Sequence, residues 1–167
     1  DPADAALSLE EAGLVYQDQL GNAERAEACY RLALDRDMRR GAAYSRLHDL
    51  LEQRGDVRAL GELVERRNAV VLDAEELEPL FWEQARLLHA AGDADGALAA
   101  IENLVMLNGQ HHGALALRAA IYEAQNRVPE AVDALRELAE AGPPESERRR
   151  ARHHAAELLD RVGEDDL

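Results

Sequence analysis

Six histidines, one cysteine and 34 carboxylates are the side chains here whose types suit metal binding, nucleophilic attack or proton transfer. Their spacing argues against all three. His111-His112 and His153-His154 are adjacent pairs. Neighbours on a helix point about 100° apart, whereas a zinc site on a helix wants histidines four apart, so that both rings face one ion. Cys29 stands beside Tyr30 with no nearby histidine to activate it, and it reads as a small half-buried residue. There is no Gly-rich phosphate loop, no nucleophile elbow and no base–nucleophile pairing. Among so many acids a carboxylate pair carries no information. No catalytic, cofactor or metal residue is assigned, and the chain does not read as an enzyme. What remains is recognition chemistry. Trp and Arg are the residue types in which binding energy concentrates at interfaces, and carboxylates steer cationic partners.

Four turns position whatever these residues do. They are Leu20-Gly21-Asn22, Arg54-Gly55-Asp56, Ala91-Gly92-Asp93 and Gln125-Asn126-Arg127, and their central residues are spaced 34, 37 and 34 apart. A period of about 34 residues is the length of a helix–turn–helix repeat. One such unit cannot bury its own apolar stripe, so neighbours must stack. The fold class expected is all-α, a right-handed solenoid of stacked helical pairs with turns at Gly21, Gly55, Gly92 and Asn126. After the turns, Ala26, Leu60, Ala97 and Ala131 start a stripe. It continues through Tyr30, Val64, Ile101 and Leu135 to Ala33, Arg67, Leu104 and Leu138. That is the i, i+4, i+7 face of a buried helix, broken only by Arg67. The first helices carry Leu47, Leu51, Phe81, Ala85, Leu88, Leu115, Ala119 and Tyr122. Phe81 and Trp82 are adjacent, so if Phe81 is buried, Trp82 is exposed at least in part.

Ser8-Leu9-Glu10-Glu11 has the form of a capping box and predicts a helix start there; Asp73-Ala74-Glu75-Glu76 repeats it inside the three-residue insertion. Pro79 predicts a restart or distortion. A single domain over 1–167 follows, with repeats at about 7–40, 41–77, 78–111 and 112–144. A capping helix over 146–162 would have Ala151, Ala155, Leu158, Leu159 and Val162 on its apolar side and a frayed tail beyond.

The composition narrows the partners. The net charge is −15 and all 19 cations are arginine, so nucleic acid and anionic membranes are excluded as non-specific partners. Arg without Lys, in an Ala-rich chain, points to a GC-rich bacterial genome. No apolar run approaches the ~20 residues of a membrane span, and no signal peptide is visible, which favours the cytoplasm. The first residue is Asp, so the chain reads as a piece of something longer.

Leu115, Ala119, Tyr122, Ala131, Leu135 and Pro143 in the fourth repeat, and Ala26, Tyr30 and Ala33 in the first, resemble the tetratricopeptide repeat family. Glu10 and Gln17 stand where that family has a large residue and an aromatic, and Leu72 and Gly109 stand where it closes with Pro. The resemblance implies a module that binds peptides or proteins along a concave surface lined by first helices. The family's Lys/Asn/Arg clamp for acidic chaperone tails is not expected, because the corresponding places hold Ser8, Glu11, Asp18, Asp49 and Glu52. On that surface a basic protein or peptide segment would meet Glu11, Asp18, Asp49 and Glu52, then Trp82, Arg86 and His89, then Glu123. The alternatives are a spacer within a longer solenoid, stacked on further repeats with its groove unused, and a regulatory arm of a larger enzyme.

Overall fold

The computed structural model describes residues 2–165, with side chains from 3 to 161. All regular structure among them is helical. α1 (Pro2–Leu14) runs on into a π-helical turn, Val15–Gln19. Then come α2 (Ala23–Arg36), α3 (Gly41–Arg54), α4 (Val57–Asn68), α5 (Ala74–Ala90), α6 (Ala94–Leu107), α7 (His112–Ala124), α8 (Val128–Glu140) and α9 (Glu145–Asp165). The four expected pairs and the final helix are present. The side chain of Val162 and the tail residues Asp166 and Leu167 lie outside the described residues. Among the described residues, no helix is long and apolar enough to cross a membrane.

The repeated turn has two physical parts. Gly21, Gly55, Gly92 and Asn126 all adopt the left-handed conformation, with φ of 59°, 69°, 82° and 58°. That conformation ends the first helix of each pair, and Gly or Asn enters it at least cost. The next residue then caps the second helix. Asn22, Asp56 and Asp93 each accept, through the side chain, a hydrogen bond from the backbone N–H three residues on. The fourth turn lacks such a cap, and Pro129 near the start of α8 removes one of the donors that would need it.

The chain gathers into two compact units, Asp1–Leu80 and Phe81–Leu167, the boundary falling inside α5. In the first unit Tyr30, Leu47, Leu51 and Val64 are buried together with Ala26, Ala33 and Ala43. α1 approaches α2 closely because Gly13 has no side chain. A Cβ there would stand 2.7 Å from Tyr30 Cδ1 and 2.9 Å from Cζ. The buried ring is also fixed at its far end, where its hydroxyl donates to Gln17 Oε1 at 2.8 Å. The polar Gln17, where an aromatic is usual in the resembling family, therefore satisfies a buried Tyr. Gly13→Ala is expected to force the ring aside and destabilise the chain by about 1–3 kcal/mol, the cost of overpacking a filled core. Urea denaturation checks this, and an unchanged midpoint would contradict the close approach.

Two charged residues occupy core positions in this unit, and both are matched. Ser8 does not start a helix, because α1 already begins at Pro2. Glu10 instead turns inward. Only 7% exposed, it takes a fork from Arg40, with Nε to Oε2 at 2.9 Å and Nη2 to Oε1 at 2.8 Å, and accepts from the Ala43 N–H at 3.2 Å. This ties α1 to the start of α3. The Arg40 hydrogen bonds hold the Glu10 carboxyl below its ordinary range, outweighing burial, which pushes it up. Arg67, the apparent break in the apolar stripe, is 9% exposed. Its guanidinium donates to Met38 O at 2.7 Å and to Glu76 Oε2 at 3.2 Å, and lies 5.4 Å from the centre of the Tyr44 ring.

α5 continues through Pro79 without a restart. In the second unit Ala85, Ala97, Ile101, Leu104 and Ile121 form one core cluster, and Leu115, Val132, Leu135, Leu138, Ala151 and Leu158 form another. Phe81, Leu88 and Tyr122, expected among the most buried residues, are only partly buried. Phe81 and Leu88 lie at the margin of the first cluster, and Tyr122 packs on the second with the Arg127 guanidinium 4.5 Å from its ring centre. Leu159, expected on the apolar side of α9, is largely exposed.

Candidate protein-binding faces

In the first unit the four expected carboxylates are all exposed: Glu11 on α1, Asp18 on the π turn, Asp49 and Glu52 on α3. The π turn holds one residue more than an α-turn, with Leu20 N–H bonding Val15 O at 3.1 Å; beyond it, Asn22 N–H bonds Tyr16 O at 2.8 Å and closes the Gly21 turn. Such bulges concentrate at functional sites, and nothing in the residue pattern announced this one. Arg46 Nη1 lies 3.4 Å from Asp18 Oδ1. On α3 the sequence reading missed a participant. His48 offers Nδ1 4.0 Å from Asp49 Oδ1, and one ligand atom each of His48, Asp49 and Glu52 lies within 4.8 Å of the others. The signal was the spacing i, i+1, i+4, obscured because His48 also falls in the register of the apolar stripe. The two exposed carboxylates, with His48 beside them, can face one cationic group.

In the second unit Trp82 lies on α5 with Arg86 and His89, at i, i+4 and i+7, which puts the three along one side of the helix. Arg86 and His89 are exposed. Trp82 is half-buried: its ring centre stands 4.9 Å from that of His111. Its six-membered ring also covers Gly113, where a Cβ would be 3.2 Å from Cζ2 and Cη2. His111 caps α7, accepting at Nδ1 from Ala114 N–H at 3.0 Å. Glu123 is engaged by α9, with His154 Nε2 2.8 Å from Oε2 and Arg161 Nη1 4.0 Å from Oε1. The histidine pairs thus have separate jobs. His112 Nε2 lies 3.2 Å from Ala141 O, and His153 Nδ1 lies 3.4 Å from Glu157 Oε1.

No protein-family model and no curated protein matches the sequence. Solved structures do match. The chain is similar to a crystal structure of the protein MamA, at 15% identity over 94% of this chain and 89% of that one, with a TM-score of 0.62. It is similar to YrrB, described as "a TPR protein with an unusual peptide-binding site", at 20% identity over 95% and 84%, with a TM-score of 0.60. A tetratricopeptide repeat protein from Parabacteroides merdae matches at 17% identity over 96% and 62%, with a TM-score of 0.63. The fold is the tetratricopeptide-repeat fold. At these identities the likeness carries architecture and leaves the chemistry of the exposed faces to be argued from this chain's own residues.

Proposed function

We propose that the chain is a non-catalytic protein-binding module whose first unit receives a basic segment on its first-helix side. The observation that carries this reading is the grouping of Asp49 and Glu52, both exposed on α3, with His48, one ligand atom of each lying within 4.8 Å of the others. Glu11 on α1 and Asp18 on the π turn are exposed carboxylates of the same unit. A guanidinium or ammonium of the partner fits between such acceptors, and the fold's other members include a protein described as having a peptide-binding site. On the second unit we assign a separate contact to Trp82, Arg86 and His89, with Glu123 held ready by His154 at its side.

The probe for the first unit is an amidated peptide of alternating arginine and alanine, titrated at two ionic strengths. Surface charge attraction is screened over about 8–10 Å at moderate salt, so affinity should fall as salt rises. Asp49→Asn combined with Glu52→Gln should weaken binding about tenfold at low salt, roughly what losing one charge-assisted contact does, and should flatten the salt response. Asp133→Asn, an exposed carboxylate on α8 of the other unit, should change neither. Binding by the double variant with the parent's affinity and salt slope would end the reading. For the second unit, Trp82→Ala should reduce affinity for a partner of that face by at least ~1 kcal/mol.

A further inference from the structure

The loop between α4 and α5, residues 69–73, together with the first turn of α5, shapes a cleft. Arg39 from the α2–α3 turn, Arg67 from α4, and Val70, Val71, Leu72, Asp73 and Glu76 line an open cleft of about 250 Å³. Pockets for drug-sized molecules run about 300–1,000 Å³, so the occupant that fits is smaller. Val71 is buried beneath it, while Leu72 is 93% exposed, a large apolar side chain held in solvent at the edge. The polar groups are two guanidiniums and two carboxylates, and they are not equally committed. Asp73 is occupied as the cap of α5, accepting from Glu75 N–H at 2.8 Å. Arg67 is aimed by Met38 O and by the Tyr44 ring, and two of its five N–H donors are used, one of them on Glu76. Glu76 is 58% exposed and touches Arg67 through one oxygen, so it can swing out to water. Arg39 has no ion pair among the described residues. In a chain of net charge −15, this places one uncompensated cation and one displaceable carboxylate beside an apolar floor.

We propose that this cleft, apart from the first-helix faces, binds a small carboxylate carried on a short branched aliphatic group. The ligand carboxylate takes the place of Glu76 on Arg67, where a planar fork can receive it through two bonds, and is reached from the mouth by Arg39. The aliphatic part lies against Val70 and Val71 with Leu72 folding over it. The same chemistry is offered by the C-terminal leucine of a peptide and by a free branched acid.

The experiment titrates the full chain calorimetrically with acetyl-Gly-Gly-Leu as the free acid, with its C-terminal amide, and with isovalerate. The free-acid peptide should saturate at or below about 1 mM, and the amide should bind at least about tenfold more weakly, since it lacks the charge-assisted bonds. Glu76→Gln should tighten binding several-fold by removing the internal competitor. Arg39→Ala and Leu72→Ser, both at the surface, should each weaken it severalfold while thermal melts stay unchanged. Isovalerate binding as tightly as the peptide identifies a free acid as the ligand; a peptide advantage of about tenfold or more identifies a chain terminus. The proposal is overturned if acid and amide bind alike, if no saturation occurs by about 10 mM, if Arg39→Ala has no effect, or if Glu76→Gln weakens binding.

Discussion

Leu51→Ala is expected to destabilise the chain by about 2–5 kcal/mol, the range for deleting a fully buried leucine side chain. Leu51 is fully buried and sits in the last turn of α3, where its carbonyl also accepts the Asp56 N–H at 3.0 Å to close the Gly55 turn. The neighbours cannot collapse into the space without moving that turn, so the cavity term is retained. Leu88 holds the equivalent place before Gly92, and Leu88 O receives the Asp93 N–H at 2.9 Å, but its side chain is only partly buried. Leu88→Ala should therefore cost about half as much, roughly 1–2 kcal/mol. Urea denaturation of the two variants separates the cases. A loss below about 1 kcal/mol for Leu51→Ala, or equal losses for both, would mean that burial at these two equivalent positions has been misassigned.

Glu10→Ala should cost about 2–4 kcal/mol, because it leaves the Arg40 guanidinium and the Ala43 N–H without their acceptor in a mostly buried place. The paired change Glu10→Leu with Arg40→Met should recover most of the loss, since an apolar pair of similar volume does as well as a buried ion pair. The acid response has a definite sign. Glu10's folded carboxyl lies below its unfolded value, so its stabilisation is complete above the unfolded pKa of about 4.3. It fades as pH falls toward the lower folded pKa. Glu27 acts the same way: burial pushes its carboxyl up, but hydrogen bonds from Arg54 and Arg31 outweigh it and the net shift is downward. Glu10→Gln should thus be less stable than the parent at neutral pH and lose less on acidification to about pH 3. A Glu10→Gln curve parallel to the parent's through that window would remove Glu10 from the account.

What was legible in the sequence was local or periodic. The four turns could be read because left-handed backbone selects Gly and Asn within a residue or two of a capping Asn or Asp. The buried stripe could be read because the helical period repeats at four places. Misread positions depended on partners distant in sequence. Glu10 looks like half of a capping box until Arg40, thirty residues on, is seen to hold it. Arg67 looks like an error in the stripe until Met38 and Glu76 are placed beside it. Of the candidate faces, the exposed carboxylates were found by counting along α1 and α3. The half-burial of Trp82 on His111 and the capture of Glu123 by His154 needed the packing of α5 and α9. The π turn under Asp18 has no residue signature here.

Trp82 is the single tryptophan of the chain, and it belongs to the second unit, with an imidazole tilted against it. Indole emission excited at long wavelength therefore originates in that unit alone. Far-UV ellipticity, in contrast, sums the helices of both units. Three of the four tyrosines, Tyr16, Tyr30 and Tyr44, lie in the first unit, so the near-ultraviolet signal is also divided by colour. The two halves of the molecule can be watched separately without attaching a dye.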